Sequence, residues 1–339
     1  MKDDFKSFIK CVLNSYSQIF FSDNKVFSVL LIIVSFADIY AGMAGLMSVI
    51  ITNLTGLFLG FDKRVINKGI YGFNSLLVGL CLGINFSPGL ILTIIIILAA
   101  VLTLFIAVSL QGVIGKYGLP YLSIPFLIGA WILTLATRNM TFLGISERGI
   151  FTINELYSVG GNPMVQLYDW WNNLGIIKPL KIYFISLGAI LFQYNVLSGI
   201  IIAVGLLYYS RISFTLSLLG FSTAYFFYDL VGASISEMNY SYIGFNYILT
   251  SIALGGFFLI PSFRSYLWTI LLVPIVALLT LSFSTIFTTV VLPVYSLPFN
   301  LIVLLFLYVL KFRIKTSKRL SEVVIQQNSP EKNLYSFHN

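Results

Sequence analysis

Residues 119–126 read LPYLSIPF and residues 292–299 read LPVYSLPF, so the same pair of prolines recurs 173 positions later. Two further segments recur at almost the same offset, of 172 and 171 positions: GFNSLLVGLCLG at 72–83 returns as GFNYILTSIALG at 244–255, and SYSQIFFSDN at 15–24 returns as SLGAILFQYN at 186–195. A biased composition produces one such match by chance, but not three at a steady offset. The sequence therefore predicts two homologous halves.

The composition indicates the environment of these halves. Of the 339 residues, 58% are apolar and only 9% are charged, whereas about 25% of residues are charged in a typical soluble domain. A water-soluble globule of this size has no way to hide so much apolar surface. The composition excludes a cytosolic enzyme, a disordered chain and a nucleic-acid-binding module. It predicts an all-α polytopic membrane protein.

The net charge of +8 does not indicate a nucleic-acid partner, because membrane proteins retain Lys and Arg in their cytoplasmic loops. The basic tail is expected to orient the chain and to attract anionic membrane lipids. Two cysteines and the single histidine, His338, are too few for a disulfide framework or a metal cluster. We expect no cofactor.

Charge-free stretches predict about five membrane crossings in each half. The stretch 26–60 contains only Asp38 as a charge and is too long for one span of about 20 residues, so we expect it to split there. The stretch 69–115 is expected to break at the turn signal 85–89. The predicted divisions are a first half at 1–138, an outside linker at 139–180 with an interfacial aromatic helix near Trp170, a second half at 181–313, and a cytoplasmic tail at 314–339.

The basic residues predict the orientation. With the N-terminus inside, every predicted inside loop carries Lys or Arg, and the outside loops carry Asp229 and Glu237 or no charge. The inside positions are Lys2, Lys6, Lys10, Lys63, Arg64, Lys68, Lys116, Arg211, Arg264 and the run that begins at Lys311. The pattern predicts a multi-pass protein of the plasma membrane with both termini in the cytoplasm.

Two homologous halves with an odd number of crossings must face opposite ways, which makes an inverted repeat with its site near the midplane. Broken helices are expected at that depth, where protein or a watery cavity satisfies the exposed backbone. The candidates are the short apolar segment 12–22, its counterpart at 189–192, and the two proline-containing motifs. We expect these four segments to line the site between the halves.

The side chains offered by the repeated motifs are uncharged. Gln18 supplies an amide, and Phe21 lies on the same helical face. The remaining candidates come in matched sets: Phe73 and Leu77, Phe245 and Leu249, and the hydroxyls of Ser123 and Ser296. Asn74 and Asn246 are expected to tie broken backbone together. Such a lining is typical of a passive path for a small neutral polar solute, because membrane proteins that couple to protons or carry ions usually keep ionisable residues in their spans.

The three duplicated motifs resemble those of the urea transporters, in the form of the bacterial urea channels, over nearly the whole chain outside the linker and tail. The resemblance implies an inverted repeat of two five-helix halves with re-entrant half-helices around a central pore. It implies a homotrimer in the bacterial inner membrane with one pore per subunit. Each pore would conduct urea passively through a narrow slot, so the chain would not be an enzyme.

The resemblance also implies roles for individual residues. Phe21, Phe73 and Leu77 would wall one end of the slot, and Phe192, Phe245 and Leu249 the other. Ser123 and Ser296 stand where the family usually has threonine, and Gln18 matches a glutamine that accepts from urea N–H groups. At Ala189 many family members have Glu or Gln. Either a backbone carbonyl, a water or Gln193 replaces the missing hydrogen bond, or that end binds more weakly, or the solute is a related one.

Three other function classes compete with this interpretation. Ammonia, water or a short amide would also pass a neutral slot. An ion-coupled secondary transporter would need a coupling-ion site, and the spans offer no buried carboxylate for one. A membrane-embedded enzyme is disfavoured, because the only histidine is in the tail and the spans hold no paired acids.

Overall fold

The computed structural model describes residues 2–146, 152–173, 175–234, 244–313 and 329–338. These residues form helices and connecting segments without a strand, and Phe86 and Ile145 form an isolated bridge. The predicted all-helical fold class is confirmed. Glu237 and residues 314–328, which contributed to the predicted orientation, lie outside the described residues.

The first half contains seven of the helices that the structure describes. They are α1 (Lys2–Ser17), α2 (Lys25–Ser35), α3 (Ile39–Phe58), α4 (Lys63–Asn67), α5 (Gly72–Asn85), α6 (Leu90–Ile114) and α7 (Ile124–Thr137). A 3₁₀ turn at Gln18–Phe20 follows α1, and the chain axis bends by 83° before α2. A second 3₁₀ turn, Gly115–Tyr117, prolongs α6.

Polar side chains begin α2 and α3. Asn24 Oδ1 accepts from the backbone N–H of Phe27 at 3.0 Å, and Asp38 Oδ1 accepts from that of Ala41 at 2.8 Å. Each acceptor satisfies an N–H group that has no partner within its helix. Asp38 therefore caps α3 at the predicted break, and the break predicted at 85–89 likewise separates α5 from α6.

The linker and the second half contain eight more described helices. They are α8 (Thr152–Asn172), α9 (Lys178–Ala189), α10 (Val196–Tyr209), α11 (Arg211–Leu230), α12 (Phe245–Ile252), α13 (Phe263–Thr289), α14 (Leu297–Leu310) and α15 (Pro330–His338). A π-helical turn, Ala253–Phe257, prolongs α12. Within the linker, α8 is kinked at Gly161, where φ is 65°, and it carries Trp170 near its end.

Helix length separates the apolar helices into two groups. Among the helices that the structure describes, three are long and apolar enough to cross a membrane alone: α3, α6 with its 3₁₀ turn, and α13. The bent pair of α1 and α2 passes the same test only when it is taken as one span. Five shorter apolar helices, of 10–17 residues, include α5, α7, α10 and α14. The structure thus replaces several of the continuous spans expected from hydropathy with short helices and non-helical connections, and ten crossings stay a prediction.

Small residues bring the helices of each half into close contact. A Cβ on Gly79 of α5 would lie 2.6 Å from the carbonyl oxygen of Ala44 on α3, and 2.7 Å from the Cβ of Ser48. At the corresponding place in the second half, a Cβ on Gly220 of α11 would collide with Ser251 Oγ of α12 and lie 2.6 Å from the carbonyl oxygen of Tyr247. Glycine lets the backbones approach where lipid supplies no hydrophobic driving force between helices.

Candidate functional site

A cavity of about 920 Å³ lies where the two halves meet. Its lining comes from the ends and breaks of helices in both halves, including α5, α7, α12 and α14. The structure brings all ten residues selected from the sequence to this cavity: Gln18, Phe21, Phe73, Leu77, Ser123, Ala189, Phe192, Phe245, Leu249 and Ser296.

Most of the lining residues form pairs separated by 171–173 positions. The pairs extend beyond the three motifs, because Gln111 and Gly115 near the end of α6 correspond to Ser284 and Thr288 near the end of α13. The two halves therefore contribute equivalent positions to one cavity. The pairs differ in chemistry at a few places, of which Gln18 and Ala189 form one.

Phe21 and Phe192 each sit on a left-handed turn that ends a helix. Phe21 N donates to Gln18 O, and Phe192 N donates to Ala189 O, both at 3.0 Å. The next residue of each turn donates five positions back, from Ser22 N to Ser17 O and from Gln193 N to Gly188 O. This arrangement satisfies carbonyl groups at the end of the helix and directs the two rings to the cavity.

The rings around Phe21 and Phe192 are only partly those expected from the sequence. Phe21 stacks on Phe257, with ring centroids 4.6 Å apart and planes inclined by 26°, and it contacts Phe258 and Phe299 at 5.8 and 6.4 Å. Phe192 contacts Phe126 and Tyr295, both at 6.0 Å. Sequence reasoning did not select these five neighbours. Phe126 and Phe299 are the last residues of the duplicated proline motif, so the repeat itself could have selected them.

Asn74 and Asn246 tie the proline motifs to α5 and α12, as predicted. Asn74 Nδ2 donates to Leu122 O at 3.1 Å, and its Oδ1 accepts from Phe126 N at 3.0 Å. Asn246 repeats the pattern with Tyr295 O at 2.9 Å and Phe299 N at 3.3 Å. Leu122 and Tyr295 both have a φ of 49°. Each asparagine thus stabilises a strained turn immediately before a cavity-lining serine.

Ser123 and Ser296 meet across the two halves. Their Oγ atoms lie 2.8 Å apart, and both side chains are buried. Each serine precedes the first residue of its helix, α7 or α14. The cavity therefore offers a pair of hydroxyls that are hydrogen-bonded to each other.

Asn300 joins this pair and was missed by motif matching. Its Nδ2 lies 2.6 Å from Ser296 O and 2.9 Å from Ser123 Oγ, and its Oδ1 accepts from Ser123 N at 3.0 Å. The equivalent position in the first half, 173 residues earlier, is Leu127. A search for repeated residues cannot find a residue that only one half possesses, but a lone amide in an apolar helix was a signal of its own.

The end of the cavity at Ala189 offers a methyl group where the other end offers the Gln18 amide. Gln193 does not line the cavity; its Nε2 points to Ser35 O, at 3.4 Å, and the side chain is buried. The structure therefore does not support the compensation by Gln193 considered from the sequence. Tyr194 and Tyr295, which both line the cavity, carry hydroxyls, and the ring of Tyr295 contacts that of Phe192.

Among the described residues of the lining, Lys68 is the one charged side chain. The sequence argument did not include it. Lys68 is exposed and follows α4. The walls between Phe21 and Phe192 are uncharged, whereas Asp38, the one acid expected within the first spans, caps α3 and is absent from the lining.

Comparison with known proteins gives consistent matches. The family described as Urea transporter matches residues 9–311. Urea transporter 1 of sheep (Ovis aries) is 24% identical over 304 residues, which cover 88% of this chain and 76% of the sheep protein. Urea transporter 1 of goat (Capra hircus) matches with the same identity and coverage, and that of mouse (Mus musculus) is 23% identical over 304 residues.

Proposed function

The chain belongs to the urea transporter family, and on this premise we propose that it conducts urea passively, as a channel, through the cavity between its halves. Membership means that it transports urea across a membrane and is not an enzyme. The passive mechanism and the route through the cavity are our proposal. Its main support is that the residues of all three duplicated motifs line one cavity.

The chemistry of the cavity suits a planar, uncharged solute with many hydrogen-bonding groups. Aromatic rings and leucines cannot replace the water around an ion, so the free energy of losing that hydration excludes ions. The cost for urea is smaller, because hydroxyl, amide and backbone groups form hydrogen bonds in place of those that urea makes to water. In this proposal, Gln18 accepts from a urea N–H group and the serine pair contacts urea near the middle.

The walls divide into two ends in this proposal. Phe21, Phe73 and Leu77 form the walls at one end, where Gln18 supplies an amide. Phe192, Phe245 and Leu249 form the walls at the other, where Ala189 supplies none. Urea therefore binds more weakly at the Ala189 end, and the two ends are not equivalent sites.

The same proposal includes the arrangement in the membrane. The halves 1–138 and 181–313 form an inverted repeat with re-entrant half-helices at the breaks that line the cavity. The repeated contacts of Asn74 and Asn246 support equivalent halves. We further propose a homotrimer with one pore per subunit, in a bacterial inner membrane, with both termini cytoplasmic.

Uptake of labelled urea into proteoliposomes tests the mechanism. We expect rapid uptake with all ion gradients dissipated by ionophores, because no coupling ion is involved. Permeabilities to ammonia and water, measured in the same vesicles, identify the preferred solute. A requirement for a proton or sodium gradient would contradict the channel, and equal acceleration of all three solutes would contradict selectivity for urea.

A further inference from the structure

We propose that Asn300 is a positioning residue that orients the Ser123–Ser296 pair, so that the pair always presents one O–H hydrogen to the solute. The solute class that such a pair selects is a neutral molecule with an exposed carbonyl oxygen. This inference rests on the proposed function, because it assigns a specificity to the middle of the same path. Asn300 is itself buried, with 1% of its surface exposed, and is not part of the cavity lining.

Two backbone groups fix the orientation of the Asn300 amide. Ser123 N–H lies 3.0 Å from one terminal atom of the side chain and can only donate, so that atom must be the oxygen. Ser296 O lies 2.6 Å from the other terminal atom and can only accept, so that atom must be the nitrogen. The opposite assignment would place the amide N–H group against Ser123 N–H, and the amide oxygen against Ser296 O.

The fixed nitrogen makes the serine oxygens acceptors. Asn300 Nδ2 lies 2.9 Å from Ser123 Oγ and 3.2 Å from Ser296 Oγ. Neither hydroxyl can therefore turn its hydrogen toward Asn300. The two oxygens are 2.8 Å apart, so one hydroxyl donates to the other.

This arrangement leaves one hydroxyl hydrogen of the serine pair without an acceptor in the pair. Two hydroxyls carry two hydrogens, and the bond between them uses one. Within the part of the chain that the structure describes, the side-chain hydrogen bonds of Ser123 and Ser296 involve only each other and Asn300. Whichever serine donates to its partner, the other keeps its hydrogen for a solute in the cavity.

This arrangement selects by chemistry rather than by size. A carbonyl oxygen accepts the hydrogen, whereas the sulfur of thiourea, a molecule of similar shape, is a weaker acceptor. A buried polar site rejects an analogue that cannot complete its hydrogen bonds more strongly than it rejects one that differs in apolar bulk. The serine pair therefore favours urea over thiourea, and the preference depends on Asn300.

The first test uses Asn300→Leu, which copies the residue at the equivalent position, Leu127. Freed from the amide, the hydroxyls can donate elsewhere, and we expect urea permeability to fall about tenfold. Thiourea permeability should fall less, so that the urea-to-thiourea ratio drops by about threefold or more. Asn85→Leu is the matched control, because Asn85 Nδ2 also donates to a carbonyl four residues back, Cys81 O at 2.7 Å, away from the serines.

A packing defect lowers both permeabilities in proportion and leaves their ratio unchanged, and that outcome would overturn the proposal. So would an unchanged urea permeability in Asn300→Leu. If wild-type vesicles fail to conduct urea, the proposed function fails instead. Measurement of the wild type first therefore distinguishes the two failures.

The second test leaves Asn300 in place, so it tests the proposal even if Asn300→Leu does not reach the membrane. Ser123→Ala and Ser296→Ala each keep one serine that accepts from Asn300 and donates to the solute. We expect each single variant to lose less than about twofold in urea permeability, and the double variant to lose about tenfold or more, well beyond the product of the two single losses. A single variant as impaired as the double variant would overturn the proposal, and so would losses that multiply to the value of the double variant.

Discussion

Phe21 and Phe192, which are 171 positions apart, have the same left-handed backbone conformation, with φ values of 59° and 60°. Each ring lines the cavity, and each belongs to the turn that ends α1 with its 3₁₀ continuation or α9. A side chain in this conformation costs about 1–2 kcal/mol relative to glycine. Phenylalanine is present at both turns despite this cost, as we expect if its ring forms a wall of the proposed path.

The cost of the turn at Phe21 can be measured by two substitutions. Phe21→Gly and Phe21→Ala both remove the ring, but only glycine adopts a positive φ without strain. We expect Phe21→Gly to be more stable than Phe21→Ala by about 1 kcal/mol, with a higher thermal unfolding midpoint in detergent. Leu77, in the middle of α5, is the matched control, because there the alanine variant should exceed the glycine variant by a similar amount. The same order at both positions would contradict the strain at Phe21.

Gln18→Ala should reduce urea permeability and leave water permeability unchanged. The loss of one hydrogen bond to urea predicts a reduction of about fivefold to tenfold in stopped-flow measurements on proteoliposomes. Gln193→Ala is the control, because that amide is buried against Ser35 O and does not line the cavity. Its urea-to-water ratio should match the wild type. Equal urea permeability in Gln18→Ala and wild type would remove Gln18 from the site.

Ala189→Gln should strengthen binding at the weaker end. The substitution adds an amide at the position equivalent to Gln18, and we expect the half-saturating urea concentration to fall by about threefold or more. Ala189→Leu adds a side chain of similar size without a hydrogen-bonding group, so it controls for bulk. Equal half-saturation in the two variants would show that the amide does not contact urea.

Asn74→Ala should reduce stability rather than alter selectivity. It leaves Leu122 O and Phe126 N without their side-chain partner. Each buried group that loses its hydrogen bond lowers the free energy of unfolding by about 1–3 kcal/mol. We expect a lower unfolding midpoint and less protein in the membrane, and a similar loss for Asn246→Ala. Asn85→Ala, at an exposed position, should change the midpoint little. A normal midpoint for Asn74→Ala combined with altered selectivity would place Asn74 at the solute instead.

The breaks between helices were predictable because they depend on local signals. Asp38 interrupts an uncharged stretch and caps α3, and the sequence 85–89 contains the turn residues that separate α5 from α6. The duplication was also predictable, since a repeat in sequence produces repeated contacts such as those of Asn74 and Asn246. These features involve residues close in sequence or residues present in both halves.

Two features that occur in one half only were not predicted. Asn300 is one of them, since the equivalent position is Leu127. The other is Phe257, which belongs to a π-helical turn and stacks on Phe21, whereas the equivalent position in the first half is Asn85. Broken helices were expected at the proline motifs, but the apolar stretch 117–137 does not reveal that α7 begins only at Ile124. Hydropathy measures the preference for lipid or protein surroundings, not helical continuity.

The most direct measurement of the central claim, that urea passes through the cavity between the halves, is the urea permeability of Leu77→Trp. Leu77 lines the cavity, so an indole there obstructs the proposed path. Leu98→Trp, on the exposed face of α6, is the matched control for adding the same ring. The account predicts that Leu77→Trp, folded and inserted, conducts urea no faster than protein-free vesicles, while Leu98→Trp conducts as the wild type. Wild-type urea permeability in folded Leu77→Trp would contradict it.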